Sequence, residues 1–289
     1  QENVWATKLR QKFIFLLRGT SLDNSRKGQA IPSATIMLTE KDFGKIDGTA
    51  IYWLGNASIF INSRGTKIMI DPLLEGFDMD LLIDMRILPK KIPELDAILF
   101  THDDNDHFSK PTLHDVEKIC KEYHAPKFVA GLIRGEGLNG IGHEIGETFS
   151  VGEIKFTLAP AEHNWKNFSE KHHWRDYKLE DYCGFWIETL DGKIWLPGDS
   201  RLLKEHLEMP QPDVILMDFA DNSWPITFDG AVKMANTYPN ADLICIHWGS
   251  VDAPQMNTFN GDPEELAKVV KNPDRVHALA PGEKFILNL

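Results

Sequence analysis

Between residues 101 and 107 the chain reads Thr-His-Asp-Asp-Asn-Asp-His, which puts two imidazoles and three carboxylates into six consecutive positions. The segment follows the apolar run Ala97-Ile98-Leu99-Phe100, which has the profile of a buried strand. Acidic side chains packed this closely repel one another unless a cation compensates them. Imidazole combined with carboxylate is a donor set for Zn²⁺, with Mn²⁺ or Fe²⁺ as alternatives. In an extended stretch positions 102, 104 and 106 point to one side, so His102, Asp104 and Asp106 can face one pocket while His107 enters from a turn. The alternative reading of such a loop is a solvated acidic segment that happens to hold two histidines. Further donors that follow strand-like runs downstream, at His163, Asp199 and His247, favour a ligand cluster instead. A cation held by such a cluster can lower the pKa of a bound water to roughly 7 and set it to attack a carbonyl or phosphorus centre, which is the chemistry of hydrolysis.

The elements that must position these donors are short. Ile51 to Leu54, Ser58 to Ile61 and Lys67 to Ile70 read as strands, with a hairpin turn at Ser63-Arg64-Gly65. Leu95 to Phe100 reads as a buried strand, Thr112 to Tyr123 as a helix and Lys127 to Ala130 as another strand. Glu153 to Leu158, Cys183 to Thr189 and Lys193 to Leu196 follow as strands, the last two joined at Asp191-Gly192. Val214 to Met217 and Leu243 to Ile246 are strands flanking a helix at Gly230 to Thr237; a helix at Pro263 to Lys271 and a strand at Lys284 to Leu287 close the chain. Residues 1 to 19 carry Trp5, Leu9, Phe13, Leu16 and Leu17 at helical spacing with basic residues between them, an amphipathic helix followed by a polar arm to residue 48. The expected division is therefore helix and arm over 1–48 and one catalytic domain over 49–289.

With 289 residues, 42% hydrophobic and 26% charged, the chain can bury a substantial core. A net charge of −12 disfavours nucleic acid as a partner, since phosphate backbones select basic surfaces. Cys120, Cys183 and Cys245 are odd in number and form no CxxC pair, so buried free thiols in a reducing, cytoplasmic setting are expected. Cys245 shares a strand face with His247 and is expected to be a packed thiol near the site. The longest apolar run near the start, Phe13 to Leu17, is far below the roughly 20 residues of a membrane span. The N-terminal helix is expected to pack on the domain, with peripheral contact to a membrane surface or to a second copy of the chain as the alternative.

Five segments in order resemble the metallo-β-lactamase-fold hydrolases. They are Ile51 to Ser58 with Lys67 to Pro72, His102 to His107, Ala159-Pro160-Ala161-Glu162-His163, Trp195-Leu196-Pro197-Gly198-Asp199-Ser200, and Cys245-Ile246-His247-Trp248-Gly249. Within that superfamily the Trp-Leu-Gly start, the Thr-His-Asp-x-Asn-Asp-His run, the Gly-Asp-Ser turn and the Ile-His-Trp-Gly end look most like the branch of L-ascorbate-6-phosphate lactonase and N-acyl-phosphatidylethanolamine-hydrolysing phospholipase D. The resemblance spans roughly residues 50 to 289 and implies a mixed α/β, four-layer αββα sandwich. It also implies a first metal held by His102, Asp104 and His163, a second by Asp106, His107 and His247, and Asp199 bridging both. The family signature His-x-His-x-Asp-His is broken at Asp104, where an imidazole is the rule. A carboxylate there favours Mn²⁺ or Fe²⁺ relative to Zn²⁺, weakens the first site, or leaves the role to Asp103.

Asp106 is the expected orienter of the attacking water and acceptor of its proton, and His173 the candidate proton donor to the leaving group or substrate holder. Asp71 and Asp218, each at a strand end, are expected to orient ligand imidazoles or to cap turns. Trp165, Phe168, Trp174, Tyr177 and Trp224 fall on loops after ligand-bearing strands and suit an apolar or ring-containing substrate group; Arg201 and Arg175 suit its phosphate or carboxylate. His114, His124, His143, His206 and His277 read as structural or surface residues. The expected activity is hydrolysis of a small ester-like substrate, a lactone first and a phosphodiester second. A non-catalytic metal-binding relative is the alternative from another class, with the Asp104 change as its support. β-Lactam hydrolysis is disfavoured by the flanking segments, and a flavin-coupled di-iron protein by the lack of a flavodoxin-like segment.

Overall fold

Strands form wherever a run of apolar residues can bury both of its faces. In the computed structural model, which describes residues 29–172, 174–220, 222, 224–253 and 257–287, β1 (Thr49–Trp53) and β2 (Ile59–Ser63) are buried at every position. They join β3 (Thr66–Ile70), β4 (Leu95–Leu99), β5 (Cys120–Pro126), β6 (Gly140–His143) and β14 (Lys284–Leu287) in a seven-stranded sheet of order β14-β1-β2-β3-β4-β5-β6. A second seven-stranded sheet has the order β13-β12-β11-β10-β9-β8-β7. Its strands are β7 (Thr148–Val151), β8 (Ile154–Pro160), β9 (Cys183–Thr189), β10 (Gly192–Leu196), β11 (Val214–Asp218), β12 (Asp242–Ile246) and β13 (Val276–His277). Alternation decides the layers. Ile51, Trp53, Ile61, Ile70 and Leu99 point between the sheets against Phe156, Leu158, Phe185 and Ile194. Ala50, Tyr52, Phe60, Met69 and Ile98 point outward under α1 (Lys110–Val116) and α2 (Lys127–Gly135). On the far side α3 (Phe228–Thr237) and α4 (Pro263–Val269) cover the second sheet through Ala231, Met234, Ala235 and Leu266. The result is the expected αββα layering, with parallel strands buried on both faces.

Two local expectations are corrected. The helix expected over Thr112 to Tyr123 stops at Val116, and Cys120–Pro126 is instead β5, parallel to both β4 and β6. Pairing on both edges outweighs the weak helical pattern there. Lys127 to Ala130, expected as a strand, is the first turn of α2; Pro126 at its N-cap starts the helix, and Val129, Ala130 and Ile133 form a buried stripe. The turn between β9 and β10 falls at Leu190-Asp191, one residue before its expected place.

The amphipathic helix expected over residues 1–19 lies outside the described residues. The described part of the arm lies on the domain: Ile36 donates to the Pro281 carbonyl and Leu38 to that of Arg86, and Gln29 reaches the Val251 carbonyl. Among the described residues no helix is long and apolar enough to cross a membrane.

Candidate metal centre

The carboxyl ends of β3, β4, β8, β10, β11 and β12 lie along one edge of the sandwich, and each ends in, or is followed within three residues by, a buried polar side chain. After β4 the backbone passes through His102 and Asp104 without regular secondary structure. A turn in which His107 and Phe108 both donate to the Asp104 carbonyl then swings His107 back toward the edge. Asp71 after β3 and His247 after β12 adopt φ of 44° and 61°, left-handed values rare outside glycine, and Asn56 beside them has φ 48°. Such turns aim side chains across the strand ends, and they persist because surrounding contacts over-determine them. The His247 backbone donates to the Asn56 carbonyl, and the Asn56 side chain in turn donates to the Asp106 carbonyl at 3.0 Å. Gly198 (φ 73°) permits the close approach that sets Asp199, because a Cβ there would lie 2.6 Å from the Cys183 carbonyl.

Three donors converge first: Asp104 Oδ2 lies 3.5 Å from His102 Nε2 and 3.4 Å from His163 Nε2. Three more converge beside them: Asp106 Oδ2 lies 3.2 Å from His247 Nε2 and 3.8 Å from His107 Nε2. Asp199 Oδ2 sits between, 3.2 Å from His107, 3.7 Å from His247 and 3.9 Å from His163. Each group of three offers ligand atoms within 4.8 Å of one another. The imidazoles are oriented from behind. Asp71 Oδ2 accepts from Thr101 Oγ1 at 2.5 Å and from His107 Nδ1 at 2.9 Å, and Thr101 Oγ1 in turn pairs with His102 Nδ1 at 2.9 Å. These partners place the imidazole protons on Nδ1 and leave His102 Nε2 and His107 Nε2 buried without a hydrogen-bond partner, which is the arrangement a cation requires. Asp218 stands 3.5 Å from His247 Nδ1.

The electrostatics have the same character. Burial opposes ionisation of Asp104 and Asp199, yet the imidazoles of His102 and His163 around the first, and of His107 and His247 around the second, hold both carboxyls well below their usual range. Burial also opposes charge on His107 and His247, but Asp199 and its carboxylate neighbours outweigh it, lifting His107 well above its ordinary value and His247 to about 9. Burial, reinforced by Asp199, pushes Asp218 up to about 8. A divalent cation would satisfy the same attraction while displacing the protons.

Of the residues singled out in sequence, His102, Asp104, Asp106, His107, His163, Asp199 and His247 meet at this edge, with Asp71 and Asp218 behind them. Asp103, the substitute ligand considered for Asp104, instead pairs with Lys166 at 2.8 Å and accepts from the Tyr177 hydroxyl at 3.0 Å. Trp165 lines the pocket and donates to Asp104 at 2.8 Å. Trp174 is two-thirds exposed and packs against Phe128 and Tyr177, away from the pocket lining. Arg201 lies over the Trp224 ring and beside Glu162, and Arg175 pairs with Asp181. His173 lies outside the described residues. Cys245 is buried in the core, its thiol pushed up by burial, and it joins none of the ligand groups. Sequence reasoning missed Asn56, Thr101 and Lys166. Thr101 stood inside the signature and could have been found as the strand-end residue beside the first imidazole; Lys166 carried no signal. Above the donors lies a cavity of about 520 Å³ walled by Phe77, Met79, Trp165, Trp224 and Phe259.

Comparison with known proteins agrees with this geometry. The model of the Beta-lactamase superfamily domain matches residues 66–248. A UPF0173 metal-dependent hydrolase of Nitratidesulfovibrio vulgaris is 31% identical over 254 residues, covering 83% of this chain and 96% of the relative. One of Herpetosiphon aurantiacus is 29% identical over 260 residues, covering 82% and 97%. The crystal structure of a possible metal-dependent hydrolase from Veillonella parvula superposes with a TM-score of 0.68 at 19% identity, over 83% of this chain and all of the other, a likeness of fold. With its two sheets, its strand-end His/Asp cluster and this coverage, the chain belongs to the metallo-β-lactamase superfamily and, within it, to the UPF0173 metal-dependent hydrolases.

Proposed function

We propose that the protein hydrolyses a small ester-like substrate, a lactone first, at a centre of two divalent cations, with Zn²⁺ the first choice and Mn²⁺ or Fe²⁺ as alternatives. The observation that carries this is the position of Asp199 Oδ2 between the His102/Asp104/His163 and Asp106/His107/His247 groups, which suits a carboxylate shared by two ions. Cations held there would supply Lewis acidity and lower the pKa of a water. The protein's own part is orientation and proton handling. Asp106, fixed by Asn56 at 3.3 Å and facing the cavity, would orient such a water and accept its proton. Trp165, Trp224 and Phe259 exclude bulk water and pack a ring. His173 is the proposed proton donor to the leaving group, and Arg201 the proposed partner of a charged substituent. The reading of a lactone rests on the sequence segments that resemble the sugar-phosphate lactonase.

The test is metal analysis of protein purified without added metal, joined to a panel of lactones, esters and phosphodiesters. Two equivalents of metal, with lactone turnover lost in His102→Ala and Asp106→Asn, is the expected result. Turnover of phosphodiesters alone would replace the substrate class, and bound metal without turnover of any panel member would make this a binding protein.

A further inference from the structure

The departure at position 104 comes with a partner. Asp104 divides its two oxygens: Oδ2 faces the His102 and His163 nitrogens at 3.5 and 3.4 Å, while Oδ1 lies 2.7 Å from Lys166 Nζ. Lys166 is 7% exposed, its ammonium also 2.8 Å from Asp103 Oδ1 and over the Tyr177 ring. A buried ammonium between two carboxylates is costly to place unless both pairs form, so this arrangement is fixed on both sides. Neighbouring Trp165 donates to the Oδ2 atom of Asp104, so the short segment after His163 holds the carboxylate from two directions.

We propose that Lys166 is a positioning residue that makes position 104 specific for a carboxylate: it occupies the oxygen turned away from the imidazoles and leaves the other for the cation. This rests on the reading of the cluster as a cation site. The chemistry excludes the imidazole that the family signature would supply. A histidine binding a cation through one ring nitrogen carries a proton on the other, which would then point at an ammonium, donor against donor. A carboxylate has a second acceptor for that ammonium. Lys166 also offsets part of the negative charge that Asp104 adds beside Asp106 and Asp199, so a third carboxylate can sit among the ligands without the full repulsion.

The test is a double-mutant cycle of Asp104→His and Lys166→Gln, read by competition with a chromophoric chelator for Zn²⁺ and by the visible d–d spectrum of the Co²⁺-loaded protein. Asp104→His alone should weaken the weaker of the two Zn²⁺ sites at least tenfold. Asp104→His/Lys166→Gln should recover at least fivefold of that loss, because the glutamine carbonyl accepts the imidazole proton. Equal affinity of Asp104→His and the parent, or no recovery in the double variant, would overturn the proposal. If Asp104→His does not fold, Lys166→Met serves alone: a changed Co²⁺ spectrum is expected, and an unchanged spectrum with affinity within twofold of the parent overturns the role. A parent that binds no Zn²⁺ refutes the cation site itself, and the inference with it. A parent that binds while the cycle is additive refutes only Lys166.

Discussion

Replacing Asp71 by asparagine should disable the cluster without moving its backbone. Asp71 accepts three hydrogen bonds, from the Thr101 amide at 2.8 Å, the Thr101 hydroxyl at 2.5 Å and His107 Nδ1 at 2.9 Å. Asparagine is the same size and tolerates the φ of 44° as well as aspartate does. Its oxygen can keep the Thr101 amide, but an NH₂ then replaces Oδ2 and faces two donors. His107 must accept at Nδ1 and move its proton to Nε2, the nitrogen turned toward Asp106 and Asp199. The Thr101 hydroxyl must accept from the amide and donate to His102 Nδ1, which drives the His102 proton to its Nε2 as well. One substitution thus closes a ligand nitrogen in each group of three. Loss of such an orienting partner costs about 10–100-fold in metal affinity, or roughly 1.4–2.7 kcal/mol. Chelator competition at fixed pH should show that loss at both sites, with the melting temperature of the cation-free protein within a few degrees of the parent. Asp71→Asn binding Zn²⁺ within twofold of the parent at both sites would refute the tautomer reasoning.

Metal binding should release protons at neutral pH. In the absence of a cation His247 sits at about 9 and His107 is lifted above its ordinary value, so at pH 7.5 a cation must displace at least the His247 proton. Apparent affinity should therefore fall as pH drops from 9 to 7, by up to tenfold per unit for each proton displaced. Titration calorimetry in buffers of different ionisation enthalpy should count at least one proton per protein; zero would contradict the raised values. A contrasting stability change is expected far from the site. The Arg275 guanidinium donates to the carbonyls of Ala235, Tyr238, Ala241 and Lys271, closing the end of α3. Arg275→Ala leaves those carbonyls without that partner and should cost about 2–4 kcal/mol in urea unfolding, with metal stoichiometry unchanged. A loss below 0.5 kcal/mol, or a lost metal equivalent, would show that the contact is misjudged.

The residues of the His/Asp cluster were legible because each is announced locally. His102 to His107 follow the apolar run of β4, His163 follows β8, Asp199 follows the Pro-Gly turn after β10, and His247 follows β12. A strand that ends in a donor needs no distant information to be noticed, and the order of such segments identified the family. The two misread segments had no such punctuation. Cys120–Pro126 becomes a strand because β4 and β6 offer it both edges, and Lys127–Ala130 becomes helical because Val129, Ala130 and Ile133 find a buried surface below them. Both outcomes depend on packing partners outside the segment itself.

The roles within the cluster were settled by the same kind of distant contact. Asp103 is held away from the imidazoles by the Tyr177 hydroxyl and by Lys166, about seventy and sixty positions away, while Lys166 also reaches the outer oxygen of Asp104 and leaves its other oxygen facing them. The tautomers of His102 and His107 follow from Asp71, delivered by a different strand. Composition and motif thus determined which side chains would cluster and on what architecture. Which atom of each faces the centre was decided only in the folded chain, because hydrogen bonds and charge pairs act over a few ångströms and their partners become neighbours only once the two sheets pack.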